Sequence, residues 1–221
     1  MQIAILGGTG DVGEGLALRW AYHSDHDVVI GSREAERARS KAAEYETELS
    51  SRGLELRIDG QVNHDAVVGA DVVVAAVPAY HLVDTIESVA DELAPGTVLV
   101  SPAVGMKRDE TGMHYNKPSA GSVTALAAEA APDDVPVVGA FHNLAAGRLA
   151  NLDVDLSIDV VLLGDEEAVE TVGALTESID GLRALYAGPI DNAAEVESLT
   201  PLLINLARYT EDLHDIGVRF E

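Results

Sequence analysis

The sequence predicts an α/β protein: a doubly wound parallel sheet with helices on both faces, closed by a small C-terminal α/β extension. Three observations predict it. Short apolar runs of strand length alternate with segments whose apolar residues recur at helical spacing. A glycine cluster, Gly8-Thr9-Gly10-Asp11-Val12-Gly13, falls between the first such run and the first such helix. The chain is also long enough, at 221 residues and 47% hydrophobic content, to bury one sizeable core or a domain with an appendage.

Taken in order, Ile3 to Leu6 is an apolar run suited to a buried parallel strand. Val12, Leu16 and Trp20 then mark one face of a helix, and Asp27 to Ile30 reads as a second strand. Glu34 to Leu49 is helical, with Ala38, Ala42, Tyr45 and Leu49 along one stripe. Leu54, Leu56 and Ile58 alternate with charged residues, which predicts an edge strand. Asp71 to Val77 is a strand, Leu82 to Leu93 a helix, Val98 to Val100 a strand, Ser119 to Ala131 a helix, and Val135 to Phe141 a strand. A strand at Ile158 to Leu163, a helix from Asp165 to Ile179, a strand at Arg183 to Tyr186 and a closing helix within Ala194 to Tyr209 complete the rotation. Strict rotation of strand and helix implies parallel strands joined by crossovers. The segment Asn151 to Asp155 is the best boundary between a nucleotide-binding part, residues 1–150, and a C-terminal part, residues 151–221, or else it is a turn within one body.

The glycine cluster has the spacing G-x-G-x-x-G, weak alone and strong between strand and helix, where a Rossmann-type dinucleotide fold requires it. Gly8 is expected to make the tight turn, Gly10 to admit the pyrophosphate and Gly13 to let helix pack on sheet. Free N–H groups at the helix start would face the phosphates. The end of the second strand selects the dinucleotide. An NAD protein usually carries an acid there for the ribose hydroxyl. Here the chain reads Gly31-Ser32-Arg33, with Arg37 one turn further and Arg39 beyond. A hydroxyl and planar guanidinium forks suit a 2'-phosphate, so NADP is expected, with Thr9 able to add a hydroxyl. The bland alternative makes Ser32 a helix cap and the arginines solvated surface charges.

Those arginines stand against a formal net charge of −24, from 38 acidic and 14 basic residues. Such a field repels nucleic acid and anionic membranes and excludes both as expected partners. With only three lysines, the acidic balance suggests a halophilic, salt-rich cytoplasm, an acidic mesophile being the alternative. Cysteine is absent, which rules out disulfides and thiolate chemistry. The opening Met1 to Leu6 lacks the basic flank of a signal peptide, and apolar runs stay far below a membrane span of roughly 20 residues. A cytoplasmic protein is expected. The histidines at 23, 26, 64, 81, 114 and 214 show no metal-ligand spacing, so no metal is expected.

His142 directly follows a predicted strand, on the carboxyl edge where ligands of such sheets bind. It could bond a ring oxygen or nitrogen and stabilise charge during reduction, or be a satisfied structural histidine. Thr200-Pro201 reads as an N-cap followed by proline in the first helical position, with Ser198 beside it.

Gly7-Gly8-Thr9-Gly10 followed by Gly31-Ser32-Arg33 resembles the archaeal NADP-dependent reductases of coenzyme F420, a 5-deazaflavin. So do Val100-Ser101-Pro102, Arg148-Leu149-Ala150-Asn151-Leu152, Asp180-Gly181-Leu182-Arg183 and Glu197-Ser198-Leu199-Thr200-Pro201-Leu202, across almost the whole chain. The resemblance implies reversible hydride transfer between NADPH and the deazaflavin, with the two rings face to face between the nucleotide-binding and C-terminal parts, in a homodimer. It places NADP at Thr9, Gly10, Ser32, Arg33 and Arg37, with Val77 and Pro78 nearby. It places the deazaflavin at His142, Ser198 and Thr200, with Leu144 beneath the stacked rings. Two departures are visible. Asn143-Leu144-Ala145 stands where the family usually has Thr-Ile-Pro, and Ala194 where it commonly has arginine. The residues alone leave two rivals open: another NADPH-dependent reductase (ferric, flavin, imine or keto acid), and a non-catalytic NADPH-sensing module.

Overall fold

Ile3 and Ile5 point to one face of the first strand and Ala4 and Leu6 to the other, and all four are fully buried. A strand apolar on both sides needs cover on both sides, and that requirement organises the fold. The computed structural model describes residues 1–54 and 58–221. In chain order the first elements are β1 (Gln2–Leu6), α1 (Asp11–His23), β2 (Asp27–Ser32), α2 (Ala35–Ser51), β3 (Ile58–Val62), α3 (Asn63–Ala66), β4 (Val72–Ala75), α4 (Ala79–Glu87) and β5 (Val98–Ser101). A hairpin of β6 (Met106–Asp109) and β7 (Gly112–Tyr115) follows, then α5 (Val123–Ala130), β8 (Val137–Gly139) and α6 (Ala146–Ala150). The chain continues through β9 (Ile158–Gly164), α7 (Glu166–Glu177), β10 (Leu182–Tyr186), α8 (Ala193–Glu197) and α9 (Leu199–Tyr209).

One eight-stranded sheet runs in the order β10-β9-β8-β5-β4-β1-β2-β3. Strands β3 to β8 of this order are parallel, so the doubly wound, Rossmann-type expectation holds for the greater part of the sheet. The order reverses at β1, between β4 and β2, and ligands of such sheets bind outside the carboxyl ends at this switch point. Ile3, Ile30, Val74 and Val160 pack with Leu16, Trp20 and Leu49 on one face. Leu6, Val73 and Leu99 pack with Leu82 and Ile86 on the other.

Strict parallelism does not extend to the last two strands. β9 runs antiparallel to β8, pairing Val138 with Gly164 and Gly139 with Leu163, and β10 is parallel to β9. The reason is length. Between β8 and β9 the longest helix is α6, five residues and hence about 8 Å, too short to return the chain across a sheet. The chain turns back at the carboxyl edge instead, and so leaves residues 140–157 beside the switch point.

The other differences are local. The edge strand expected at Leu54 to Ile58 starts at Ile58 and continues to Val62; residues 55–57 lie outside the described residues. The hairpin went unpredicted because Met106 to Asp109 is exposed throughout and carries no apolar alternation. It is held by α9: Asn205 accepts from the Met113 N–H at 2.8 Å and donates to its carbonyl at 2.7 Å. The helix expected from Leu82 to Leu93 ends at Glu87, followed by a single 3-10 turn. The one expected from Ser119 starts at Val123, where the Ser122 hydroxyl caps it by accepting from the Ala125 N–H. Around Asn151 to Asp155 the chain makes a turn, and buried Arg19 of α1 reaches across to it. The Arg19 guanidinium donates to the carbonyls of Leu149, Asn151 and Val154 at 2.9, 2.6 and 2.8 Å.

Candidate active site

The glycine turn joins β1 to α1. Gly7 has φ +76°, a conformation that favours glycine, and a side chain there would strike the Ala76 carbonyl at 2.5 Å. The tight turn therefore falls at Gly7, one residue before the expected Gly8. Gly8 is instead pressed against Ile30, and Gly13 lies so close to Gly7 and Gly8 that any side chain would collide with backbone. Gly10 differs: a Cβ there would have its nearest neighbour at 3.4 Å, so its surface is open. It is also the N-cap of α1, with no side chain satisfying the first N–H groups. The open glycine and the free amides occur together, which is what a phosphate needs.

A cavity of about 520 Å³ lies over this turn. Thr9, Gly10, Ser32, Arg33, Arg37, Val77 and Pro78 line it, so seven of the residues expected at the nucleotide converge on one space. Gly8 and Gly13 shape the turn from behind. Asp11 and Arg39 do not line the cavity; Asp11 sits exposed in the first turn of α1, where it complements the helix dipole. Ser32 is nearly buried and weakly accepts from the Glu34 N–H at 3.4 Å; helix α2 is capped at Glu34, so Ser32 is not its cap. Among the described residues neither Arg33 nor Arg37 has a carboxylate within 4.0 Å. In a chain of net charge −24, two exposed guanidiniums without acidic partners at one cavity mark an anion site.

Asn63, His81, Asp84, Thr85 and Ser88 also line this cavity and were missed. Asn63 directly follows β3, at the carboxyl edge, and the misplaced edge strand hid it. The others lie on or just after α4, which turns one stripe along its length, His81, Asp84, Thr85 and Ser88, to the cavity; the sole sequence signal was their position after Val77-Pro78.

A second cavity, about 380 Å³, lies on the other side of the α1 N-terminus. Val12, from the glycine motif, lines this cavity and not the first. His142, Leu144 and Thr200 meet here, with Leu203, Ile204, Asp215 and Ile216 from α9 and the tail. His142 is set by the residue before it. Phe141 has φ +65°, rare for an aromatic residue, and is held by burial and by edge-on packing against Trp20 at 5.7 Å. Thr200 donates its hydroxyl to the His142 carbonyl at 2.6 Å. Thr200 therefore does not cap a helix: α9 begins at Leu199 with Ser198 as its N-cap, and Pro201 is its third residue. The Ser198 hydroxyl donates to the Glu195 carbonyl at 2.7 Å, and Ser198 lines neither cavity.

The imidazole is 3% exposed, and burial pushes its pKa down from 6.5 to about 4, so it is neutral near pH 7. Its Nε2 lies 3.4 Å from the Thr124 hydroxyl, while Nδ1 is buried without a partner. Thr124 in turn contacts Glu197, a carboxylate with no exposed surface. Glu197 accepts from the Val123 and Thr124 N–H groups, the Thr124 hydroxyl and the Tyr115 hydroxyl at 2.8–3.0 Å. Tyr115 is shifted upward, chiefly by burial and by this bond. Sequence reasoning gave Thr124, Tyr115 and Glu197 no role, since 73 residues separate Thr124 from Glu197 and only the fold unites them.

A glycine turn with free amides at the sheet's switch point, guanidiniums at the next strand end, and a second apolar cavity across the helix start define an NADP-binding oxidoreductase of the Rossmann class. Comparison with known proteins agrees. The family described as NADP oxidoreductase, coenzyme F420-dependent, matches residues 2–105. The F420-dependent NADP reductase of Methanothermobacter thermautotrophicus is 38% identical over 213 residues, covering 93% of this chain and 89% of the relative. That of Methanocaldococcus jannaschii is 37% identical over 209 residues, covering 93% and 92%. A crystal structure of a protein from Arthrobacter sp. FB24, described as a candidate F420-dependent NADP reductase, superposes with a TM-score of 0.76 at 24% identity over 93% of each chain, and shows the shared fold. The chain belongs to the F420-dependent NADP reductase family.

Proposed function

We propose that this protein transfers a hydride reversibly between NADPH and the 5-deazaflavin coenzyme F420, and that the two cavities hold the two coenzymes. The observation that carries the reading is their placement: both border the start of α1, one with Arg33 and Arg37 at its edge, the other with an unpartnered imidazole nitrogen. The residues present fit the groups. Gly10 leaves room for a pyrophosphate, the arginines suit the 2'-phosphate, and the apolar wall of Val12, Leu144, Leu203 and Ile204 suits a flat ring. When bound, the coenzymes supply the redox chemistry, a two-electron transfer between carbons of two stacked rings.

The protein's task is alignment. Productive transfer needs the rings held at roughly 3–3.5 Å, and a packed floor enforces this without any nucleophile. Val12 and Leu144 form that floor, and His142 holds the edge of the second ring. In this reading residues 1–150 hold the nucleotide and residues 151–221 supply the wall that completes the second cavity. Exposed Leu202, Leu206 and Tyr209 on α9 give an apolar face that supports a homodimer. Among the described residues no helix is long and apolar enough to cross a membrane, and we place the activity in the cytoplasm. The test is an anaerobic assay: NADPH absorbance should fall when the oxidised deazaflavin is added. Binding of NADPH with no loss of absorbance would leave a sensor and refute the enzyme.

A further inference from the structure

The buried carboxylate of Glu197 is not explained by alignment of two rings, yet it is fully satisfied where a charge is costly to bury. Its four contacts are all donors: two backbone N–H groups and the hydroxyls of Tyr115 and Thr124. That settles the direction of the next bond. A hydroxyl has one proton, and Thr124 gives its own to Glu197 at 3.0 Å. Toward His142 Nε2, 3.4 Å away, Thr124 therefore has only lone pairs to offer. An acceptor there favours a proton on Nε2, and in a neutral ring the other nitrogen then has none. That other nitrogen, Nδ1, is the buried atom with no protein partner in a residue lining the second cavity.

We infer that Glu197, acting through Thr124, is a positioning residue that holds His142 as the Nε2–H tautomer, so that Nδ1 meets the second substrate as a hydrogen-bond acceptor. The chemical class selected is a ring whose edge carries an N–H, which the pyrimidine edge of a deazaflavin does. A ring offering only carbonyl oxygens at that place would set lone pair against lone pair. Reversal of the tautomer would reverse the preference. The inference rests on the second cavity being the deazaflavin site, but the tautomer itself can be read without any coenzyme.

Long-range proton–nitrogen correlation spectra of histidine-labelled protein, free of ligand at neutral pH, distinguish the two tautomers, and His142→Gln identifies the signal. We expect a protonated Nε2 and a bare Nδ1. Thr124→Val keeps the shape and removes the hydroxyl, and should give a mixed or reversed tautomer; Thr124→Ser should restore the original pattern. In turnover, Thr124→Val should raise KM for the deazaflavin roughly five- to tenfold, the worth of one hydrogen bond, with Kd for NADPH unchanged and Thr124→Ser again restoring it. Should Thr124→Val not fold, Thr124→Ala serves in its place. A wild-type His142 protonated on Nδ1, or a tautomer indifferent to loss of the hydroxyl, overturns the inference. If the tautomer behaves as expected while NADPH is not oxidised by the deazaflavin, the positioning stands and the assignment of the substrate falls.

Discussion

Replacing Arg33 with aspartate should cut the preference for NADPH over NADH by roughly tenfold or more. The magnitude follows from exposure and charge. Arg33 borders the cavity proposed for the nucleotide, is solvent-exposed, and has no carboxylate partner among the described residues, so its removal frees no buried acid. A charge-assisted hydrogen bond is worth about 1.5–3 kcal/mol, and an exposed one belongs at the lower end, about 1.5 kcal/mol. The new carboxylate, on a shorter side chain, would stand about 8 Å from a phosphate of nearly two charges. In water that repulsion is about 1 kcal/mol, cut to about 0.4 kcal/mol by a Debye length of about 8 Å. The sum, about 2 kcal/mol, is roughly a thirtyfold rise in Kd for NADPH. Kd for NADH, which lacks the phosphate, should move by less than about threefold. Near 1 M salt the repulsion vanishes and the NADPH effect should shrink to roughly tenfold. Fluorescence titration of both nucleotides at the two salt concentrations reads all four numbers. Equal weakening of NADPH and NADH would refute the reasoning, because it would make Arg33 a structural residue.

Further outcomes follow from the same structure. His142→Ala should lower turnover or deazaflavin affinity at least tenfold while Kd for NADPH holds; an unchanged rate would return His142 to a structural role. The folded pKa of His142, about 4, lies below the unfolded 6.5, so the unfolded chain takes up the proton first. The contribution is whole above pH 6.5 and lost as pH falls toward 4, about 3 kcal/mol at most. Thermal unfolding of wild type should fall more steeply across that window than that of His142→Gln, and parallel curves would contradict the assignment. Arg19→Met keeps the apolar stem but deprives the carbonyls of 149, 151 and 154 of their donor, and should cost about 3 kcal/mol in urea unfolding. In the wild type, affinity for NADPH should rise with added salt, since screening weakens a −24 field more than a bidentate contact; a steady loss of affinity would count against the arginine site.

What was legible in the sequence was what lies close together along it. The glycine turn, Ser32-Arg33 and Val77-Pro78 each fall at the end of a strand marked by its own apolar run, so their shared edge could be read once the strands were assumed parallel. Asn63 was lost because a five-residue edge strand, half exposed, has little periodicity, and its register was taken too early. Thr124 has no local signature, sitting in a helix of small residues, and Glu197 stands at the head of a family-like run whose pattern does not announce its partners. Their meeting depends on the reversal of β9, which no local pattern announces. Phe141 is a similar case, since its left-handed backbone is imposed by packing on Trp20 and not by residue type.

The two cavities solve opposite problems, and the charge of the chain shows why. The cavity proposed for the nucleotide is lined by Arg33 and Arg37, so it can select an anion against a strongly negative protein. Among the described residues no lysine or arginine lines the second cavity, and the one charged side chain there is Asp215. In the proposed reading an anionic coenzyme is not drawn there by charge. Recognition in this cavity must therefore come from apolar contact with the ring and from hydrogen bonds of fixed direction, with any charged tail left in solvent. A carboxylate such as Glu197 can still serve there because its charge is spent on four donors, and what reaches the cavity through Thr124 and His142 is orientation and not field. For a protein working against its own net charge, directional contacts are the terms that salt screens least.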